Sequence, residues 1–343
     1  MKSLGCNLRD LATPEPVELT DLAGQRVAVD AFLTAYQFIT SLRARGEGQD
    51  GGPLRDANGN PVSHLMGFLD RATVMVEAGI DPVFVFDGRP HELKMQELAG
   101  RKARKDEAKE KWTAAVAAED WTTAQKLGAQ TAEFTRDMVA ETRGMLDLLG
   151  IANIEAPMEA EGAAAVRCAR GELGAVASQD WDTLLYGSPV MVRNLVSHGT
   201  RKFGRVVRAE RIVLADLLEE NGLTREQLVD LGIMVGTDFH PGIKGIGPKT
   251  GLKLIREHGT IEEVCAVKEK EIPERLEEIR ALFLDHPTGD EPLPASGMCD
   301  EEGLRKMLVE GRGFSERRIE RALGRLANAG RVRQGGQTSL FDF

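Results

Sequence analysis

Asp81-Pro82-Val83-Phe84-Val85-Phe86-Asp87-Gly88 is an apolar run that ends on an acid and a glycine turn. Such a run reads as a buried strand whose last side chain leaves the sheet as a carboxylate. The same device occurs at Arg26-Val27-Ala28-Val29-Asp30 and at Gly174-Ala175-Val176-Ala177-Ser178-Gln179-Asp180. Residues 189–193 form a fourth strand. Helical patterns lie between these runs, at 32–42, 64–77, 92–112, 121–149 and 159–169. Strands alternating with helices predict an α/β fold, with a mainly parallel central sheet and helices on both faces. In such folds ligands bind beyond the carboxyl ends of the strands. Here those ends carry aspartates.

Residues 90–149 interrupt the alternation with two long helical patterns and no strand. Large excursions over a strand edge often carry function. Residues 46–61 are rich in Gly, Asp and Asn and read as a mobile loop or turn. From Leu223 the chain is helical, broken at residues 241–248. A last helix over 315–327 sets Ile319, Ala322, Leu323 and Leu326 on one face. The tail from Ala329 is rich in Gly, Gln and Arg and reads as disordered.

Seven acids stand out: Asp30, Asp87, Glu159, Glu161, Asp180, Asp182 and Asp238. Three end predicted strands, and Glu159 and Glu161 open a helix after Pro157. Asp182 lies two residues past Asp180, and Asp238 follows a helix. Taken singly, an acid at a helix start is a cap and an Asp-Gly step is a turn. Taken together, the recurring device makes the acids converge, and so many carboxylates repel. Divalent cations relieve the repulsion. A set of hard oxygens with neither Cys nor His suits Mg²⁺ or Mn²⁺ and disfavours zinc. Two such ions about 4 Å apart support phosphodiester hydrolysis.

Residues 242–249, Gly-Ile-Lys-Gly-Ile-Gly-Pro-Lys, sit between two helical patterns. They are either a structural connection or a backbone grip on phosphates. Glycines admit close approach, the next helix offers free N–H groups, and Lys244, Lys249 and Lys253 add charge. Read as a helix-hairpin-helix, the segment holds a duplex without reading its sequence. Lys94, Arg101, Arg104 and Lys105 share one helix face. That face is either a solvated surface paired with Glu97 and Glu107, or a clamp on the scissile phosphate. Tyr36, on the helix after Asp30, is either a core residue or a stacking partner for a base.

Net charge is −10, which by itself argues against a nucleic-acid partner. Positive charge is nevertheless clustered in residues 94–111 and 201–211. Hydrophobic residues make up 42% of the chain, enough for a sizeable core. No run approaches the roughly 18–20 apolar residues of a membrane span, and residues 1–13 lack the apolar stretch of a signal peptide. The four scattered cysteines, Cys6, Cys168, Cys265 and Cys299, read as free thiols in a reducing compartment. The expected location is cytoplasmic, and nucleoid-associated in a prokaryote.

At this point the segments VAVDAF (27–32), PVFVFDG (82–88), APMEAEGAAA (156–165), SQDWDTLLYG (178–187) and VGTDFHPGIKGIGPKTGLKLI (235–255) resemble the flap endonucleases, in their archaeal and eukaryotic branch. The likeness runs from about Gly24 to Leu326. It implies a 5′ nuclease (PIN-like) fold, in one nuclease domain over 1–328. It implies a helical gateway and cap over 90–135, a helix-hairpin-helix over 225–258, and a flexible tail over 329–343. It implies a structure-specific endonuclease, with 5′–3′ exonuclease activity, that removes 5′ flaps in replication and repair. Two Mg²⁺ are implied, with Mn²⁺ as a substitute. Asp30, Asp87, Glu159 and Glu161 favour one ion, and Asp180, Asp182 and Asp238 the other. Lys94 and Arg101 match the family's basic pair at the scissile phosphate. DNA contacts are expected from Tyr36, Arg104, Lys105, Gly236, Gly242, Lys244, Gly245, Gly247 and Lys249, with a monovalent cation such as K⁺ at the hairpin. The tail resembles the family's sliding-clamp peptide, through Gln337, Leu340, Phe341 and Phe343. The implied partners are thus branched DNA and a PCNA-type clamp, with no membrane, and the protein is expected to be a monomer.

The chain departs from the pattern in four places. Gly5 is the counterpart of a glycine that usually follows the initiator Met. The tail stops one aromatic short. Phe239 stands where the family often has Tyr, and Met158 where it has a small residue. Three other readings compete. A sibling nuclease for gaps, bubbles or Holliday junctions is one, although the bubble type carries longer insertions. An Asp-nucleophile phosphatase needs an acid where Phe32 stands. An inactive clamp-bound scaffold should have lost carboxylates, and none is missing.

Overall fold

A computed structural model describes residues 6–202 and 204–332. Nine strands occur among them: β1 (Glu15–Val17), β2 (Arg26–Asp30), β3 (Asp81–Phe86), β4 (Asn153–Glu155), β5 (Ala175–Ala177), β6 (Val190–Arg193), β7 (Arg201–Lys202), β8 (Arg205–Val206) and β9 (Ala209–Val213). Seven form one sheet in the order β1-β9-β6-β5-β2-β3-β4. The five strands from β6 to β4 run parallel, while β9 joins β6 and β1 antiparallel. β7 and β8 make a separate ribbon. The mainly parallel α/β sheet expected from the sequence is therefore present, with an antiparallel edge that the sequence reading lacked.

Alternation along the central strands divides the core. Val27, Val29, Phe84 and Phe86 face the helices Ala31–Ser41, Ser63–Glu77, Arg136–Leu148 and Glu316–Asn328. Ala28, Val83, Val85 and Val176 face the alanine-rich helix Ala160–Ala169. Met191 and Ile212 continue into a third cluster with helices Arg225–Val235, Pro248–His258 and Leu276–Leu284. These central-strand residues thus meet apolar side chains on whichever side they point, as a sheet covered on both faces requires. The last helix buries Ile319, Ala322, Leu323 and Leu326, the stripe read from the sequence.

Three local expectations are corrected. The strand expected over 174–180 ends at Ala177, so Asp180 stands in the turn beyond it. The helix expected over 121–149 is two helices, Trp121–Leu127 and Arg136–Leu148. Thr135 caps the second, accepting the Met138 N–H at 3.3 Å, and Gly128 lies where a Cβ would sit 2.2 Å from the Gly51 carbonyl oxygen. The glycine-rich loop expected to be mobile is tied to the helices over residues 95–127. Arg43 Nη1 donates to the carbonyls of Gly51 (3.1 Å) and Gln125 (2.9 Å), Gln125 Nε2 to that of Gly46 (2.6 Å), and Trp112 Nε1 to that of Asp50 (2.7 Å).

Among the described residues, no helix is long and apolar enough to cross a membrane. The four cysteines are free. Gly5 and the tail residues Gln337, Leu340, Phe341 and Phe343 lie outside the described residues.

Candidate active site

Strand register sets the floor of the site. β2 lies between β5 and β3, and its last residue, Asp30, is level with Val85. Asp87 is therefore two residues beyond that level on one side. Ala177 is level with Val29, which puts Asp180 two residues beyond Asp30 on the other side. The helix Ala160–Ala169 starts over this edge, with Glu159 as its N-cap residue and Glu161 in its first turn. Asp182 begins a four-residue helix, and Asp238 follows the helix Arg225–Val235.

Backbone amides hold several of these acids. Asp30 Oδ1 accepts the Leu33 N–H at 2.9 Å, capping its own helix. Asp87 Oδ1 accepts the Ala160 N–H at 2.8 Å and so ties β3 to the helix that carries Glu159 and Glu161. Asp180 Oδ1 accepts the Asp182 N–H at 3.0 Å, and Asp182 Oδ1 accepts the Cys6 N–H at 2.8 Å. The capping and turn roles that rival a functional reading are thus real for these groups. They do not neutralise the charge.

Burial, with Asp87 alongside, pushes the Asp30 carboxyl up to about 8. Burial pushes Asp87 up to about 6, with Glu159 adding to it, and Asp180 to about 6, with Asp238 adding. Glu161 and Asp182 stand well above the ordinary range through burial and the neighbouring Asp180. Each rise records a buried anion short of positive charge.

Two cations enter the cluster. Lys94 Nζ pairs with Glu159 and lies 3.2 Å from Asp238 Oδ2. Burial works against its charge, but Glu159 and Asp238 outweigh this and hold its pKa above the usual lysine range. Arg101 Nη2 donates to Asp238 Oδ1 at 2.6 Å. Two cations cannot neutralise seven carboxylates, so ionising the raised acids leaves the site negative. Among the described residues, no three Asp, Glu, His or Cys side chains are posed as a ready ligand set for one ion. The donor chemistry nonetheless fits hard divalent metal: all oxygen, buried and under-neutralised.

The other candidate residues divide. Tyr36 is 38% exposed, which excludes a core role. Arg104 pairs with Glu97 at 3.2 Å, Lys105 with Glu133 at 3.2 Å, and Lys111 with Glu107 at 2.6 Å. The outer part of the basic helix is therefore ion-paired surface, and its base, with Lys94 and Arg101, turns into the acidic cluster. In the hairpin, Gly236, Gly242 and Gly245 have φ of +116°, +85° and +90°. A Cβ at Gly242 would lie 2.5 Å from the Val235 carbonyl oxygen. Gly247 caps the helix Pro248–His258, which has proline in its first turn. Lys244 is exposed, and Lys249, 83% exposed, lies 3.4 Å from Asp10.

Residues 1–108 match the family described as the XPG N-terminal domain, and residues 150–238 the XPG I-region. The chain is 42% identical to the flap endonuclease 1 of Methanopyrus kandleri, over 98% of each sequence. The chain belongs to the flap endonuclease family. It is accordingly a structure-specific nuclease. Flap endonuclease 1 of Aeropyrum pernix is 41% identical over 99% of each sequence. The solved structure of flap endonuclease-1 from Methanococcus jannaschii is 33% identical, with a TM-score of 0.75 over 95% of this chain and 98% of that one.

Sequence reading of this flap endonuclease missed the residues that hold the acids. Ser178 Oγ donates to Glu161 and accepts the Asp180 N–H at 3.0 Å, so it joins two of the acidic segments. Arg193, at the end of β6, stacks over Trp181 with Cζ 4.6 Å from the ring centroid. Ser178 was visible beside Asp180, but a serine before an acid has no pattern of its own. Cys6 acts through its backbone, which leaves no trace in residue type.

Proposed function

We propose that this chain removes 5′ flaps from branched DNA, hydrolysing a phosphodiester just inside the duplex with Mg²⁺ as its metal. The observation that carries the reading is the gathering of seven carboxylates, outnumbering their two cations Lys94 and Arg101, in a flap endonuclease fold. Asp30, Asp87, Glu159 and Glu161 would hold one ion, and Asp180, Asp182 and Asp238 the other, with Mn²⁺ as a substitute. Such ions supply an activated water and stabilise the leaving oxygen. Lys94 and Arg101 grip the scissile phosphate, exchanging their carboxylate partners for it. Tyr36 stacks a base beside the junction. Arg104 and Lys105 follow the strand through a helical gateway over residues 90–135.

The hairpin grips the duplex backbone through Lys244, Lys249 and the amides around Gly236, Gly242, Gly245 and Gly247, with K⁺ bound by backbone carbonyls. The tail binds a sliding clamp through Gln337, Leu340, Phe341 and Phe343, placing a monomeric cytoplasmic enzyme in replication and repair. The test is cleavage of a double-flap DNA with and without Mg²⁺. Cutting near the junction, with blunt duplex largely spared, is expected. No Mg²⁺-dependent cutting by folded protein would overturn the metal assignment. Deleting residues 337–343 should remove stimulation by the clamp and leave basal cutting intact, and stimulation that persists would overturn the tail assignment.

A further inference from the structure

Five aromatic rings stand in file behind the carboxylates. His91 packs edge-on to Phe239, with centroids 6.5 Å apart and planes at 86°. Phe239 continues to Phe283 at 5.4 Å and 70°. Phe283 continues to Tyr186 at 4.9 Å and 49°, and Tyr186 to His286 at 4.8 Å and 71°. The file ends on Gly162, where a Cβ would lie 2.5 Å from the His286 ring. Ring and helix backbone are therefore in direct contact. Phe239, Phe283, Tyr186 and His286 are buried.

The rings belong to different segments of the acidic centre. Phe239 follows Asp238. Tyr186 closes the short helix that Asp182 opens, its N–H donating to the Asp182 carbonyl at 3.0 Å. His286 backs Gly162, the neighbour of Glu161. His91 caps the turn that ends at Lys94, its Nδ1 accepting the Leu93 N–H at 3.3 Å. Phe283 belongs to no acidic segment and joins the others. Arg225 fixes the middle of the file from the backbone side, donating to the carbonyls of Tyr186 at 2.8 Å and Phe283 at 2.9 Å.

The acidic segments come from distant parts of the chain and carry like charges, so their own electrostatics drive them apart. The packed rings, edge-on in three of their four contacts, resist this, because such contacts are directional as well as apolar. His286 Nδ1 lies 3.1 Å from the Leu282 carbonyl oxygen, and its buried Nε2 has no hydrogen-bond partner among the described residues. The imidazole is wedged between Tyr186 and Gly162. We propose that this file of rings is the positioning scaffold of the carboxylate centre, fixing the spacing of the Asp182, Asp238 and Glu159–Glu161 segments. Its consequence for catalysis rests on the function proposed above.

The test breaks the file at its centre with Phe283→Leu and keeps every ring with Tyr186→Phe. In Phe283→Leu, calorimetric titration of the whole protein with Mg²⁺ should give an affinity about ten-fold weaker, and kcat on a double-flap DNA should fall about ten-fold with KM unchanged. Tyr186→Phe should stay close to the parent in both. Hydrogen exchange of the metal-free proteins supplies a readout independent of activity. Amides of residues 159–163 and 237–239 should exchange about ten-fold faster in Phe283→Leu and not in Tyr186→Phe. Unchanged exchange there, or a Phe283→Leu protein that merely melts earlier with parental Mg²⁺ affinity and kcat, overturns the proposal. So does a Tyr186→Phe protein as impaired as Phe283→Leu. A parent that neither binds Mg²⁺ nor cuts flaps would sink the proposed function, and the exchange comparison would still decide the scaffold.

Discussion

Arg101 Nη2 lies 2.6 Å from Asp238 Oδ1, an ion pair between positions 137 residues apart in the chain. Lys94 reaches the other oxygen of the same carboxylate at 3.2 Å and pairs with Glu159 as well. The base of one helix therefore clips together acids from two distant segments. The pair is half-buried, Asp238 more so than Arg101, and breaking it without a substitute partner leaves a partly buried carboxylate short of positive charge. On the proposed function, a DNA phosphate would be such a partner for both cations, and a metal ion for the released acids.

Lys94→Met and Arg101→Met follow from that exchange. Either change removes a cation aimed at the place where a phosphate would carry its developing charge. Single-turnover flap cleavage is expected to fall by about 10²–10³-fold, the usual effect of losing one such group. Binding of flap DNA, measured by fluorescence anisotropy, should change little. Cleavage near the parental rate would show that the pair serves only to neutralise the acids.

Asp180→Asn separates chemistry from stability. The buried Asp180 carboxyl is pushed up to about 6, so its ionised form is strained at neutral pH. Replacing it with an amide relieves that strain and removes a metal donor. Cleavage should be abolished while DNA binding survives. The metal-free variant should melt a few degrees higher than the parent near pH 8, roughly the shift that 1 kcal/mol produces. A lower melting temperature would mean that the hydrogen bond to the Asp182 amide matters more than the repulsion.

The same acids set a pH dependence with a definite sign. Asp30 is raised to about 8, and Asp87 and Asp180 to about 6. A carboxyl with a folded-state pKa above its unfolded value of about 3.9 holds more protons folded than unfolded. Its burden on the fold is absent below about pH 4 and complete above about pH 8, so these groups make stability fall as pH rises through that window. On the proposed metal assignment, Mg²⁺ would bind the ionised acids. It should therefore raise the melting temperature more at about pH 8.5 than at about pH 5.5, as scanning calorimetry would show. An equal rise at both values would mean that the ion binds elsewhere.

The legible part of this molecule was the part that repeats. Apolar runs ending in acid gave β2 and β3 to the residue, because buried parallel strands need continuous apolar character. The shorter and more charged strands carried no such signal. β4 has three residues, and in β9 the charges of Glu210 and Arg211 masked the burial of Ala209 and Ile212. All seven acids were nameable from type and position, whereas the contacts that hold them were not. Ser178, the Cys6 amide and the ring file act between segments that only the fold makes neighbours.

The glycine-rich loop offers a last test, of whether the cap is seated by backbone contact. Gly51 has φ +73°, and a Cβ there would lie 2.4 Å from the Cα of Gln125 in the cap. Gly48 has almost the same backbone, φ +72°, with nothing within 4 Å of its Cβ position. Alanine at either site carries the left-handed penalty of roughly 1–2 kcal/mol. Only Gly51→Ala also forces loop and cap apart, loosening the Arg43 and Gln125 bonds that span them. Limited proteolysis and hydrogen exchange of the free protein should therefore show residues 112–128 opening in Gly51→Ala and staying protected in Gly48→Ala. Flap cleavage should fall in the first variant alone. Equal behaviour of the two would mean that the backbone penalty is the whole effect and that the loop does not seat the cap.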